Sequence, residues 1–129
     1  MTDDTMPDGQ PTIRVTALPA DTNVYGDIFG GWLMSQMDLA ASSVASRHAA
    51  GRAVTIAVDG MTFHRPVFVG DEVSVFASLD EVGRTSMKVA VEAWRRDRHS
   101  DDVNLVTRAR FTFVAIGQDR RARTVRGLS

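Results

Sequence analysis

The sequence contains no cysteine and no apolar run long enough to span a membrane. Without cysteine the chain cannot form a disulfide, a thiolate nucleophile or a cysteine-based metal site. Its three histidines, His48, His64 and His99, lack a close ligand spacing such as H-x-x-x-H, so we expect no bound metal. The first ten residues have neither the basic start nor the apolar core of a signal peptide. We therefore expect a soluble, cytoplasmic protein that does not act at a membrane.

The chain also lacks an excess of charge of either sign. Its 129 residues include 15 Lys and Arg and 16 Asp and Glu, which gives a net charge of −1. Proteins that bind nucleic acids or anionic membranes do so mainly through an excess of positive charge. Neither is therefore expected as a partner. A chain of this length is typical of one domain with a substantial core.

Composition divides the chain into three segments. Residues 1–11 are acidic and contain two prolines, which predicts a flexible N-terminal arm. Residues 12–117 carry regular hydrophobic patterns and form the predicted domain. Residues 118–129 are rich in arginine and are predicted to be a basic C-terminal tail.

Hydrophobic periodicity predicts one helix and five strands in the domain. Apolar residues recur at helical spacing from about residue 31 to about residue 50. They alternate with a period of two in the five predicted strands, which cover residues 13–18, 53–63, 73–79, 87–93 and 103–116. The last four strands are joined by short connections, which favour an antiparallel sheet. We expect an α+β fold in which such a sheet wraps around one helix, and its free edges and apolar surface favour self-association.

The predicted helix is unusually apolar. Leu33, Met37 and Val44 define one face, and the other positions are mostly Ala, Ser and Met, so we expect a helix buried on most sides. Asp38 is the only charged residue between positions 31 and 46. Burying a lone carboxylate costs free energy, which makes Asp38 a candidate functional residue. The helix is expected to end with Gly51 as a glycine C-cap.

Two glycines, Gly30 and Gly31, begin this helix. They leave backbone N–H groups uncovered at the positive end of the helix dipole, where an oxyanion or a polarised carbonyl can bind. Asp38 lies about 12 Å further along the axis at about 1.5 Å per residue. A thioester or ester bound across this distance could meet N–H donors at its oxygen and a carboxylate near its carbon. The alternative is that the glycines only form a tight turn and that Asp38 is solvated.

Several motifs resemble one enzyme family, the hotdog-fold acyl-CoA thioesterases, and most closely its short bacterial YciA-like branch. The similarity extends over roughly residues 13–125. The matching motifs are Pro19-Ala20-Asp21-Thr22-Asn23, Gly26-Asp27-Ile28-Phe29-Gly30-Gly31-Trp32, Met34-Ser35-Gln36-Met37-Asp38, Val54-Thr55-Ile56-Ala57-Val58-Asp59-Gly60-Met61, Arg65-Pro66, Val69-Gly70-Asp71 and Phe111-Thr112-Phe113-Val114-Ala115.

The resemblance implies a hotdog fold with a five- to six-stranded antiparallel sheet around the helix. It implies dimers with active sites between subunits, which often assemble further into a hexamer as a trimer of dimers, and it leaves a tetramer as the alternative. The implied activity is hydrolysis of fatty acyl-CoA to free acid and CoA, with Asp38 as general base or nucleophile. Gly30 and Gly31 would polarise the thioester carbonyl, and Asp27 would contribute polar contacts. No cofactor is implied, because CoA is part of the substrate and the product.

Five further residues are candidates for substrate and CoA binding, by position and by resemblance. Basic and polar side chains are expected near the CoA phosphates. The candidates are Asn23, Arg65, Arg84, Ser86 and Lys88. The sequence departs from the family pattern at Val24-Tyr25, His64, Arg108 and Arg110, which leaves the acyl-chain preference open.

Two alternative functions share the same fold. A hotdog hydratase acting on acyl thioesters needs a histidine beside an acidic residue, and neither His48 nor His64 lies in such a motif. A non-catalytic protein that binds or senses acyl-CoA would have no use for the lone carboxylate of Asp38. A serine hydrolase is excluded because no G-x-S-x-G motif is present.

Overall fold

The computed structural model describes residues 5–128 of the chain. The elements of this part are β1 (Ile13–Thr16), a 3₁₀ turn (Pro19–Asp21), α1 (Gly30–Ala49), β2 (Ala53–Asp59), β3 (Glu72–Val82), β4 (Ser86–Arg96) and β5 (Val103–Ala115). Residues 1–4 of the predicted arm and residue 129 of the predicted tail lie outside the described residues. No helix within residues 5–128 is long and apolar enough to cross a membrane.

The five strands of the described chain form one antiparallel sheet in the order β1-β3-β4-β5-β2. The strands β1 and β2 are the edges of the sheet, and α1 packs across one of its faces. The predicted α+β arrangement is therefore confirmed, and the sheet has five strands rather than six. The predicted helix is confirmed to within one residue at each end.

The core lies between α1 and the central strands. Alternate residues of β4, beginning with Met87 and Val89, point toward the helix and are fully buried. On α1, the buried face consists of Leu33, Met37, Ala40, Ala41, Ala45 and Ala49. Because most of these side chains are small, the helix backbone approaches the sheet closely, and the large residues of the sheet fill the space between them.

The expectation that α1 is buried on most sides is wrong for a single chain. One sheet covers only one side of a helix, so Met34 and Leu39 remain 39% and 59% exposed. The edge strand β2 is exposed in the same way, with Val54 at 42% and Ile56 at 59%. The apolar composition of the helix therefore produces an apolar surface on the isolated protomer.

The predicted glycine C-cap at Gly51 is also wrong. The left-handed residue that follows α1 is Ala50, with φ 53° and ψ 41°. The lack of a side chain at Gly51 instead leaves room for Arg123. A Cβ atom at Gly51 would lie 2.6 Å from the guanidinium of Arg123. That guanidinium donates hydrogen bonds to the carbonyl oxygens of Ala49 at 2.7 Å and Ile116 at 3.3 Å. A residue of the predicted tail thus caps the end of the helix.

Several strands end at residues other than those predicted. The strand β1 stops two residues early because Pro19 begins the 3₁₀ turn. The strand β2 stops before Gly60, whose φ of +67° interrupts the extended backbone. The strand β3 continues to Val82 through an irregularity between Leu79 and Glu81. Residues 5–11 of the predicted arm form neither helix nor strand.

A buried ion pair fixes the loop that precedes β3. Asp71, 4% exposed, accepts hydrogen bonds from Arg95 Nε at 2.6 Å, Arg95 Nη2 at 3.1 Å and the Phe68 N–H at 2.8 Å. The hydrogen bonds that Arg95 donates to Asp71 raise the pKa of Arg95 above its ordinary value, while burial acts against it. In the same loop, the carbonyl of Val67 accepts the N–H of Ile28 at 3.2 Å. The ion pair thereby positions the segment from which α1 begins.

Candidate active site

The carboxylate of Asp38 lies where the middle of α1 faces the edge strand β2. The hydroxyl of Thr55 donates a hydrogen bond of 2.6 Å to Asp38 Oδ1, which orients the carboxylate. Beside this pair is an open cleft of about 330 Å³, lined by Gly31, Met34, Ser35, Asp38, Thr55, Val58 and Phe111. A carboxylate held at the wall of an otherwise mainly apolar cleft is a typical arrangement for binding an apolar substrate and acting on it.

The start of α1 is the second part of the candidate site. The first N–H groups of a helix have no acceptor within the helix, and Phe29, the residue before α1, provides no side-chain cap. Space is open beside Gly31, which lines the cleft of Asp38. Gly30 instead borders a second cavity of about 100 Å³, lined by Ile28, Phe29, Gly30, Leu33, Phe63, Arg65, Pro66, Val67 and Val106. Gly31 and Asp38 therefore line the same cleft, and Gly30, the residue before Gly31, borders the second cavity.

Asn23 and Asp27 form a tight loop before α1. The Asn23 Oδ1 atom accepts hydrogen bonds from the N–H groups of Tyr25 at 2.9 Å and Asp27 at 3.2 Å. The Asn23 N–H donates to the Asp27 carbonyl at 2.7 Å. Because its oxygen is held by the loop, the side chain of Asn23 presents its amide nitrogen as a donor. Neither Asn23 nor Asp27 lines the cleft of Asp38 in the same chain.

The candidate CoA-binding residues divide between two places. Arg65 borders the cavity beside Gly30, and its Nη1 atom donates to the Leu105 carbonyl at 2.8 Å. Arg84 is exposed in the turn between β3 and β4. Ser86 and Lys88 follow on β4 at positions that alternate with the buried residues, so they lie on the sheet face away from α1. None of these last three residues lines the cleft of Asp38.

Thr55 is the site residue that sequence reasoning missed. In the sequence it was only a polar position in a mainly apolar strand, inside one of the motifs that carry the family resemblance. Within residues 5–128 no group of three or more His, Cys, Asp and Glu side chains is arranged to hold a metal ion.

A family model described as the Thioesterase superfamily matches residues 25–101, a range that includes α1, β2, β3 and β4. The chain belongs to the thioesterase superfamily. The residues matched include Asp38, Thr55 and the two glycines at the start of α1.

Named relatives of this superfamily member are similar over most of their length. An uncharacterized acyl-CoA thioester hydrolase of Zymomonas mobilis is 57% identical over 115 residues, which cover 89% of this chain and 77% of that protein. The acyl-CoA thioester hydrolase YciA of Escherichia coli is 43% identical over 123 residues, 93% of each chain. These similarities confirm the predicted family and its YciA-like branch.

Solved structures of thioesterases confirm the predicted hotdog fold. HI0827, a hexameric broad specificity acyl-coenzyme A thioesterase, superposes with a TM-score of 0.88 at 43% identity, covering 95% of this chain and 84% of that one. Cj0915, a hexameric hotdog fold thioesterase of Campylobacter jejuni, superposes with a TM-score of 0.85 at 36% identity, covering 92% of this chain and 91% of that one.

Proposed function

We propose that this protein is an acyl-CoA thioesterase that hydrolyses fatty acyl-CoA to the free acid and CoA. The observation that carries the proposal is the carboxylate of Asp38, held by Thr55 in a cleft that Gly31 also lines. The named acyl-CoA thioester hydrolases among its relatives support the same activity.

The hydrogen bond from Thr55 engages one oxygen of Asp38 and leaves the other for chemistry. As a general base, that oxygen takes a proton from a water molecule whose oxygen attacks the thioester carbon. As a nucleophile, it attacks the carbon directly and gives a mixed anhydride that water then hydrolyses. In the first route the C–S bond breaks as protonated Asp38 returns its proton to the leaving sulfur. In the second route the C–S bond breaks to release CoA as a thiolate, which takes a proton from water. Backbone N–H groups of Gly30 and Gly31 stabilise the oxyanion that forms on the carbonyl oxygen.

The site is proposed to be complete only between two copies of the chain. The exposed apolar residues of β2 and of α1 provide the surface for a dimer. The amide nitrogen of Asn23 and the carboxylate of Asp27 then reach the site from the partner subunit. A trimer of such dimers would give the hexamer that is named for HI0827 and Cj0915.

The CoA part of the substrate is proposed to bind through its phosphates. Arg65, Arg84, Ser86 and Lys88 are the candidate contacts, because guanidinium, ammonium and hydroxyl groups are good partners for phosphate oxygens. CoA enters with the acyl group and leaves as product, so no separate cofactor is proposed.

The test is the release of free thiol from a panel of acyl-CoA substrates by wild type and by Asp38→Asn. This substitution keeps the shape of the side chain and removes the base, so kcat/KM should fall at least about a hundredfold. Asp101→Asn, in an exposed loop, is the matched control and should keep wild-type activity. Activity of Asp38→Asn near that of wild type would exclude the proposed mechanism. Binding of acyl-CoA without release of thiol by wild type would instead indicate a sensing protein.

A further inference from the structure

The loop of residues 60–71 joins β2 to β3 and is called the connecting loop below. Its last residue, Asp71, accepts two hydrogen bonds from the guanidinium of Arg95 on β4. The same guanidinium donates to Asn104 Oδ1 on β5 at 3.1 Å and lies 5.5 Å from the centre of the Phe68 ring. A side chain of the sheet therefore holds the end of the connecting loop through a carboxylate and an aromatic ring.

The Asp71–Arg95 pair is buried, with 6% and 13% of the two side chains exposed. Taking two charges out of water costs free energy that their mutual attraction roughly offsets, and well-packed apolar side chains in their place often give an equally stable protein. Stability alone therefore does not account for a buried ion pair at this place. Two parallel hydrogen bonds do fix the relative orientation of the two groups, because they allow only one geometry.

Two hydrogen bonds lead from this ion pair to the start of α1. Asp71 Oδ2 accepts the N–H of Phe68 at 2.8 Å, which fixes the turn between these two residues. The carbonyl of Val67, the residue before Phe68, accepts the N–H of Ile28 at 3.2 Å. Ile28 lies two residues before Gly30, where α1 begins. A displacement of the ion pair would therefore be passed to the start of α1.

The start of α1 carries two N–H groups without an acceptor. The N–H groups of Trp32 and Leu33 donate to the carbonyl of Phe29 at 3.1 and 3.3 Å. Those of Gly30 and Gly31 make no hydrogen bond within the described part of the chain. In the proposed reaction these two groups stabilise the oxyanion, which requires donors held at the correct distance from the developing charge. A misplacement of about 1 Å can lower a rate by about a hundredfold.

We propose that Asp71 and Arg95 are positioning residues, which hold the N–H groups of Gly30 and Gly31 where the oxyanion forms. The proposal rests on the proposed thioesterase function. Asp71 and Arg95 line neither the cleft of Asp38 nor the cavity beside Gly30, so they act on the reaction only through the connecting loop.

The first test is the kinetics of the double variant with Asp71→Leu and Arg95→Met. This variant removes both charges together, so it leaves no unpaired buried charge and should fold. It also lacks the acceptor of the Phe68 N–H, so the connecting loop loses its fixed end. We expect kcat to fall at least about tenfold while KM changes by less than about twofold, because an interaction made only in the transition state is weakened.

Two further variants control this measurement. Asp71→Asn keeps an oxygen that can accept the Phe68 N–H and should recover most of the lost kcat. The matched control is the double variant with Glu72→Leu and Arg96→Met, which removes the neighbouring ion pair between the same two strands. The hydrogen bonds of that pair lie outside the connecting loop, so this control should keep the kcat and KM of wild type.

The second test is amide hydrogen exchange without substrate, which needs no activity. In the Asp71→Leu and Arg95→Met variant the Ile28 amide should exchange at least about tenfold faster than in wild type, while amides of β4 keep their protection. If this variant does not fold, Arg95→Lys takes its place, because lysine keeps the charges paired but cannot form the two parallel hydrogen bonds. Arg95→Lys should show the same two changes, in kcat and in exchange, to a smaller degree.

Wild-type kcat in the folded double variant, or unchanged exchange at Ile28, would overturn the proposal. A raised KM with unchanged kcat would also overturn it, because this result would indicate a loss of substrate binding. Failure of the proposed function has a different signature, in which wild type releases no thiol from any substrate although the Ile28 amide still exchanges faster in the variants. The role in the reaction then falls together with the proposed function.

Discussion

A single hydroxyl group orients the carboxylate on which the proposed chemistry depends. Thr55 donates to Asp38 across 2.6 Å from a strand whose other side chains at the cleft are apolar. Hydrogen bonds to an ionised carboxylate are stronger than those between neutral groups, so this contact restricts the rotation of Asp38. The other oxygen of the carboxylate remains available for the proposed chemistry.

Thr55→Val should lower kcat by about tenfold to a hundredfold and leave KM nearly unchanged. Valine has a similar shape and suits a strand, but it cannot donate a hydrogen bond, so Asp38 loses its orientation. Thr55→Ser keeps the hydroxyl and should recover most of the activity. Steady-state kinetics with one acyl-CoA measure kcat and KM for both variants. Equal kcat values for the valine and serine variants would contradict a positioning role of Thr55.

Residue-level prediction points most clearly to a position that differs chemically from its neighbours. Asp38 is conspicuous because it is the only charged residue between positions 31 and 46. Thr55 is not conspicuous, because hydroxyl residues are common in strands. Its contact with a residue 17 positions away exists only once the helix has packed against the edge strand. Such a contact depends on tertiary structure, which periodicity does not specify.

At the scale of elements, two separate features form the C-terminal end of α1. Ala50 turns the chain in a left-handed conformation, and Arg123 donates to the last helical carbonyl from far along the chain. A left-handed conformation is costly for any residue with a Cβ atom. The contact with Arg123 thus stabilises the end of α1, although the left-handed conformation of Ala50 is strained.

Ala50→Gly should raise the free energy of unfolding by about 1 kcal/mol, because glycine adopts the left-handed conformation without strain. Ala49→Gly, one residue earlier and still helical, should lower it by about 1 kcal/mol. Urea unfolding at one fixed protein concentration measures both, since the stability of an oligomer depends on concentration. A loss of stability in Ala50→Gly would contradict this account of the helix end.

Periodicity predicted the helix and all five strands, but it placed the ends of several strands less well and did not identify the residue that turns the chain after the helix. Gly51 was the natural choice for the left-handed residue, yet its lack of a side chain makes room for Arg123 instead. The purpose of that glycine depends on a residue of the C-terminal segment, whose path over the helix end cannot be inferred from local sequence.

At the scale of the molecule, an isolated protomer leaves much of its apolar surface uncovered. The free side of α1 and the edge strand β2 are contiguous with the cleft of Asp38. The sequence predicted self-association, because a helix apolar on all sides cannot be buried by one small sheet. It could not predict which surfaces meet, since that depends on the packed shape of the protomer.

Ile56→Lys should shift the protein toward monomers and reduce kcat/KM at least about tenfold. The charge would be placed at the exposed centre of β2, where burying an unpaired lysine costs several kcal/mol. Light scattering during size-exclusion chromatography measures the mass, and thiol release measures the activity. Thr124→Lys, at an exposed position of the tail, is the matched control. An oligomer of unchanged mass would show that β2 is not in the interface.

The separation of Asn23 from the Asp38 cleft in one chain has a genetic consequence. If Asn23 and the cleft of Asp38 come from different copies, as proposed above, one allele damaged at Asn23 and another damaged at Asp38 can assemble into a mixed dimer. One of its two sites then carries both lesions, and the other carries neither. Two inactive alleles of this gene would therefore complement each other, whereas two alleles damaged in the same half of the site would not.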